Sequence, residues 1–189
     1  MQAKKTRCKT RDIAITFRMQ GGFPGDVNRT HPATITPELQ DSVSPVTVYG
    51  FPALIDSVAD AGQGGLRAFA AGDQSNTVPV AAWGVLVRPY PIQQQAATNY
   101  GAASIGAAAA PTTGVVDALR SGFISVAIPA GQAPIKNSPV YVWCAATANG
   151  HTLGGFEAVY AAGSTVQLSN AVFNGSPDSS GNVELSFNV

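Results

Sequence analysis

Cysteine and histidine are almost missing from this sequence, with two of each in 189 residues. Cys8 lies in a basic stretch and Cys144 in an alternating apolar run, so a disulfide framework is not the basis of the fold. So few cysteines suit a reducing cytoplasm. Cys144 reads as a small buried apolar side chain. Neither Cys-x-x-Cys nor His-x-x-x-His occurs, so no metal-ligand spacing is present. His31 and His151 both fall among turn-forming residues, and no Gly-x-Ser-x-Gly elbow accompanies them, which leaves little material for a nucleophilic centre. Charged residues are 12% of the chain, about half the usual ~25%. The carboxylates are scattered. Asp56 and Asp60 sit among turn residues, a poor start for a two-carboxylate hydrolase. Gly62-Gln63-Gly64-Gly65 lacks the Lys-Ser/Thr of a phosphate loop. No apolar run reaches eighteen residues, and no apolar core follows the basic N-terminus, so neither a membrane helix nor a secretory leader is expected. An enzyme, a metal or cofactor protein and a membrane protein are all disfavoured.

What charge there is lies unevenly. Seven Lys and Arg and two Asp occupy the first thirty residues, against four basic and nine acidic residues in the rest. A basic segment on a mildly acidic body is a polarity that can guide docking. Direct nucleic-acid binding is not expected. No aromatic residue interleaves the first basic residues, and the body offers no basic stripe.

Within that segment Ile13, Ile15 and Phe17 alternate, as on a half-buried strand, with Arg11 and Arg18 on either side. Gly21 to Asp26 breaks the chain. Pro32, Pro37, Pro45 and Pro52 follow, each fixing φ and removing a donor, so this stretch reads as an extended strap. Val46–Tyr49 is a candidate sheet-edge strand and Pro37–Gln40 a single helical turn. Short strands separated by turn chemistry come next: Leu66–Phe69, Val78–Arg88, Phe123–Ile128, Pro139–Cys144, Phe156–Tyr160, Thr165–Leu168 and Val183–Phe187. Asn149-Gly150 signals a type I′ hairpin. Asp117–Arg120 reads as a turn. Trp83, Phe123, Tyr141, Trp143, Phe156 and Phe187 are expected in the core, with a carbohydrate-stacking face as the alternative. The fold class is therefore all-β, a small antiparallel β-barrel or jelly-roll-like sandwich with an extended N-terminal arm. Residues 1–45 form the arm and strap, and residues 46–189 the body. An Ala/Gln-rich loop at 92–114 leaves the body, to contact a neighbour or meet solvent.

Five phrases in order along the chain carry a resemblance: Gly22-Phe23-Pro24-Gly25-Asp26-Val27-Asn28-Arg29, Tyr49-Gly50-Phe51-Pro52, Trp83 through Pro91, Asp117 through Val126, and Pro139-Val140-Tyr141-Val142-Trp143. Together they resemble bacteriophage structural cement or capsid decoration proteins. The resemblance implies a non-enzymatic virion protein without cofactor, made in the host cytoplasm and placed on the capsid exterior. Its implied partners are the major capsid protein, at junctions between its subunits, and further copies of itself as a homodimer or homotrimer. The contact residues expected on this reading are Arg11, Ile13, Ile15, Phe17, Arg18, Phe23 and Arg29. The alternative is a phage tail or baseplate component, or a carbohydrate-binding receptor-recognition module.

Overall fold

One long strand organises the molecule. The computed structural model describes residues 22–29, 32–56, 64–75, 79–89 and 110–189. Its strands are β1 (Thr34–Leu39), β2 (Pro52–Asp56), β3 (Gly65–Ala68), β4 (Gly84–Leu86), β5 (Val115–Ala127), β6 (Ser138–Trp143), β7 (Phe156–Glu157), β8 (Thr165–Phe173) and β9 (Asn182–Phe187). They form a nine-stranded sheet in the order β3-β2-β4-β5-β9-β8-β6-β7, with β1 pairing β5 off this path. The named strand pairs are antiparallel, and the sheet curls into a half-barrel. The all-β antiparallel expectation is met.

β5 serves two sheet regions. Its first half pairs β1 and β4, so that Leu119 faces both Ile35 and Val85. Its second half pairs β9, from Gly122↔Phe187 to Ala127↔Asn182. Between the halves the register slips. Thr34 opposes Ser121 while Ile35 opposes Leu119, leaving Arg120 without an opposite residue. Such a bulge shifts side-chain parity by one. Val116 and Ala118 therefore enter a smaller core with Val46, Tyr49, Ala53, Leu66 and Leu86. Leu119, Ile124 and Val126 enter the larger core with Phe69, Phe156, Phe173 and Phe187. Burying each of these Phe side chains stabilises the fold by roughly 1.5–3 kcal/mol.

Several local expectations are corrected. Pro37–Gln40 is no helical turn; Pro37 lies within β1, at a position whose nitrogen turns away from the pairing strand β5, so its missing N–H costs no bond of that ladder. Asp117–Arg120 is strand, because β1 and β4 pair it from both edges. Val46–Tyr49 forms no strand. Val46 is buried against Gln40, whose amide donates to Val46 O at 2.8 Å and accepts from Val46 N at 3.1 Å. Val78 lies outside the described residues, and of residues 79–88 only Gly84–Leu86 is strand. Ahead of it the Asn170 amide takes the place of a ladder partner, accepting from Ala82 N at 3.1 Å and donating to Ala82 O at 2.9 Å. The return strand after the hairpin is only Phe156–Glu157. The turn itself is as expected, with Asn149 at φ 52° and Gly150 at φ 84°. Trp83 is exposed and Phe123, Tyr141 and Trp143 are half-buried, so of the six aromatics assigned to the core only Phe156 and Phe187 are fully inside it.

Candidate interaction site at the base of the N-terminal segment

The phrases that stood out in the sequence meet in space. Gly25 N–H donates to Ser125 O and Ser125 N–H to Asp26 O, both at 2.8 Å, and Asn28 N–H donates to Phe123 O at 3.0 Å. Arg88 N–H donates to Gly25 O at 2.9 Å, and Gly50 N–H to Leu86 O at 2.8 Å. Residues 23–28 are thus laid between β5 and the chain that leaves β4. Close approach is possible because Gly25 and Gly50 both carry positive φ, +92° and +79°, and have no side chain to intervene.

Arg88 locks this arrangement. It is buried, and its Nε donates to Pro24 O at 3.3 Å. Its guanidinium lies 5.1 Å from the Phe23 ring centre and 5.8 Å from that of Tyr49, and Asp26 Oδ1 is 3.9 Å away. A desolvated cation facing aromatic rings is held by their negative π faces. Burial pushes the Tyr49 hydroxyl above its ordinary pKa, partly offset by the Arg88 charge.

A second anchor lies beside it. Arg29 Nη2 meets Glu184 Oε1 at 2.6 Å, and its guanidinium sits 4.1 Å above the Phe123 ring. Asn174 donates to the same carboxylate at 2.8 Å and Asn28 at 3.4 Å. Burial alone would raise the Glu184 pKa, but the bonds from Arg29, Asn174 and Asn28 outweigh it and hold the carboxyl below its usual range.

At the bulge, the Arg120 guanidinium stacks 3.5 Å over Trp83, whose Nε1 donates to Glu38 Oε1 at 3.1 Å. This ties β5, the β4 approach and β1 together.

Of the contact residues expected from sequence, Arg11, Ile13, Ile15, Phe17 and Arg18 lie outside the described residues. Phe23 is 45% exposed beside Arg88. Arg29 is engaged within the fold by Glu184. Arg88, Tyr49, Gly50 and Glu184 were missed as members of this site. Arg88, Tyr49 and Gly50 lie in Gly-Pro-aromatic phrases whose wording gives no hint that they touch, and Glu184 lies in none of the phrases. Among the described residues no cluster of three His, Cys, Asp or Glu side chains could hold a metal ion.

The site fastens chain segments together. The fold is similar to that of a chain in a structure described as "The capsid of Myoviridae Phage XM1", with a TM-score of 0.59 and 17% sequence identity over 93% of this chain and 95% of that one. No curated protein matches the chain. The family model described as XM1 gp53 minor capsid protein matches residues 13–187, and the chain belongs to that family. The family is one of non-enzymatic capsid structural proteins.

Proposed function

We propose that this protein is a cement subunit. It binds the outer face of a phage shell at junctions between major capsid proteins, and residues 1–45 supply its main grip. The observation that carries this reading is the Arg88 site, which clamps the start of the described chain into the body in a protein of a minor capsid family. A leading segment fastened at its root transmits load from whatever it grips to the half-barrel.

The physics of cementing is mass action. A ligand that binds only the assembled shell stabilises that shell against disassembly. The leading segment suits such contact because an extended chain can add to a neighbour's sheet edge, using backbone bonds for affinity and alternate side chains for specificity. Ordering it costs roughly 1–2 kcal/mol per residue in backbone entropy. Apolar side chains such as Ile13, Ile15 and Phe17 must therefore supply most of the affinity, while Arg11 and Arg18 set orientation.

The test is to compare purified shells with and without the protein during heating. With it bound, disassembly is expected at higher temperature, with many copies per particle. An unchanged disassembly temperature, or a handful of copies per particle, would contradict the proposal, and the low count would point to the tail.

A further inference from the structure

The sequence holds two Asn-Gly pairs, Asn149-Gly150 and Asn174-Gly175, and the fold surrounds them in opposite ways. Asn149 and Gly150 form the exposed tip of the hairpin, at φ 52° and 84°. A Cβ on Gly150 would meet nothing within 4 Å. Neither the Asn149 amide nor the Gly150 N–H has a hydrogen-bond partner among the described residues. Asn174 is half-buried and Gly175 is buried. The Asn174 amide donates to Glu184 Oε1 at 2.8 Å and accepts from Ser186 Oγ at 3.4 Å. Its backbone N–H donates to Glu184 O at 2.9 Å.

We propose that Asn149 is a self-modifying site, converting in the folded protein to aspartate and isoaspartate, while Asn174 is protected. The Gly150 nitrogen gives up its proton and attacks Asn149 Cγ. A C–N bond forms, the bond from Cγ to Nδ2 breaks, and Nδ2 leaves as ammonia, taking up the proton. The product is a five-membered succinimide. Water then opens the ring. Cleavage at Cγ gives aspartate. Cleavage at the main-chain carbonyl gives isoaspartate, whose main chain runs through the side-chain carbon. Gly150 suits the attack because it has no side chain to shield its nitrogen. Reaching the ring needs rotation about the Asn149 Cα–C bond. The backbone bonds that resist it are those between Ala148 and His151, at 3.1 and 2.9 Å. Opening so small a unit costs far less than unfolding the domain. At Asn174 the amide must first leave Glu184 and Ser186, both in β9 of the sheet, and the buried Gly175 must be uncovered.

The two products act differently on the hairpin. Asp-Gly suits the same type I′ turn. Isoaspartate adds one carbon to the main chain of a two-residue loop and shifts Ala148 against His151. His151 depends on that register. Its Nδ1 lies 2.8 Å from Glu157 Oε1, and its ring stacks on Trp143 with 4.2 Å between centres. Glu157 is 1% exposed, so drawing His151 away leaves a buried carboxylate oxygen short of a partner.

The test is to age the full chain at mildly alkaline pH, folded in one sample and unfolded in guanidinium chloride in another. Chymotryptic peptides, which separate the two pairs at Phe156, are then followed by mass spectrometry for conversion of amide to acid. In the folded chain Asn149 is expected to convert at least tenfold faster than Asn174. In the unfolded chain the two should convert at similar rates, because the fold no longer distinguishes them. Gly150→Ala should slow conversion at Asn149 at least tenfold; if that variant folds poorly, the ratio of the two asparagines in the parent chain carries the test alone. Equal rates in the folded chain overturn the proposal, and so does conversion of Asn149 in guanidinium chloride only. Asn149→Asp is expected to unfold at the same urea concentration as the parent, and the isoaspartate fraction of the aged chain at a lower one. An isoaspartate fraction as stable as the parent would overturn the link between the turn and the His151–Glu157 pair.

Discussion

A Cβ placed on Gly50 would lie 2.7 Å from the backbone nitrogen of Gly25, closer than real side chains approach. Two glycines far apart in sequence therefore hold the root of the leading segment against the body. Gly50→Ala must strain a backbone at φ +79° and push this contact apart. A loss of about 2 kcal/mol or more in folding stability is expected. A urea titration measures it, and faster amide exchange at Gly25 with unchanged exchange in β8 would localise it.

Arg88 is buried and joins Pro24, Phe23 and Tyr49. Arg88→Met keeps the aliphatic stem but removes the cation and its donor. The expected cost is about 1–3 kcal/mol. Arg88→Lys should recover only part of it, because an ammonium group lacks the flat guanidinium surface that faces the rings. Thermal unfolding of both variants checks the order.

Glu184 is held below the usual carboxylate range in the folded chain. Such a carboxylate binds protons more weakly when folded, so its stabilisation is present above the unfolded value, near 4.5. It is lost as pH falls through the lower folded value. Glu184→Gln is expected to lower the midpoint of unfolding more at pH 7 than at pH 4. The partners are partly exposed, so added salt should shrink the effect. An equal effect of the substitution at both pH values would show that packing, not charge, is what Glu184 contributes.

Cys144 behaves in the opposite sense. Burial, with a smaller contribution from Asp73, pushes its thiol up to about 12 from an ordinary 9.0. The stability this gives is complete below pH 9.0 and is lost between there and about 12, where the unfolded thiol ionises first. In a Cys8→Ser chain at pH 8, alkylation of Cys144 should proceed only at the rate of unfolding. Rapid labelling of the native protein would contradict its burial.

Much of the half-barrel was legible because period-two alternation survives in the strands that pair regularly. Tyr141 and Trp143 against Val140, Val142 and Cys144 is the clearest case, and Asn149-Gly150 marked its hairpin. The misses have physical causes. Arg120 adds a residue that exchanges the faces of β5, so no single alternation runs from Val116 to Val126 and its first half read as a turn. Pro37 argued against a strand, yet its nitrogen turns away from β5, so pairing with that strand does not need its N–H. Ala82 is satisfied by the side chain of Asn170, a partner 88 residues away. The Arg88 site likewise joins distant stretches of chain, and only three-dimensional packing brings them together.

Removing residues 1–20 and measuring binding to undecorated shells tests the central claim most directly. The shortened chain is expected to fold, with its Arg88 site intact, and to lose binding at least a hundredfold. Binding at full affinity by a folded, shortened chain would contradict it.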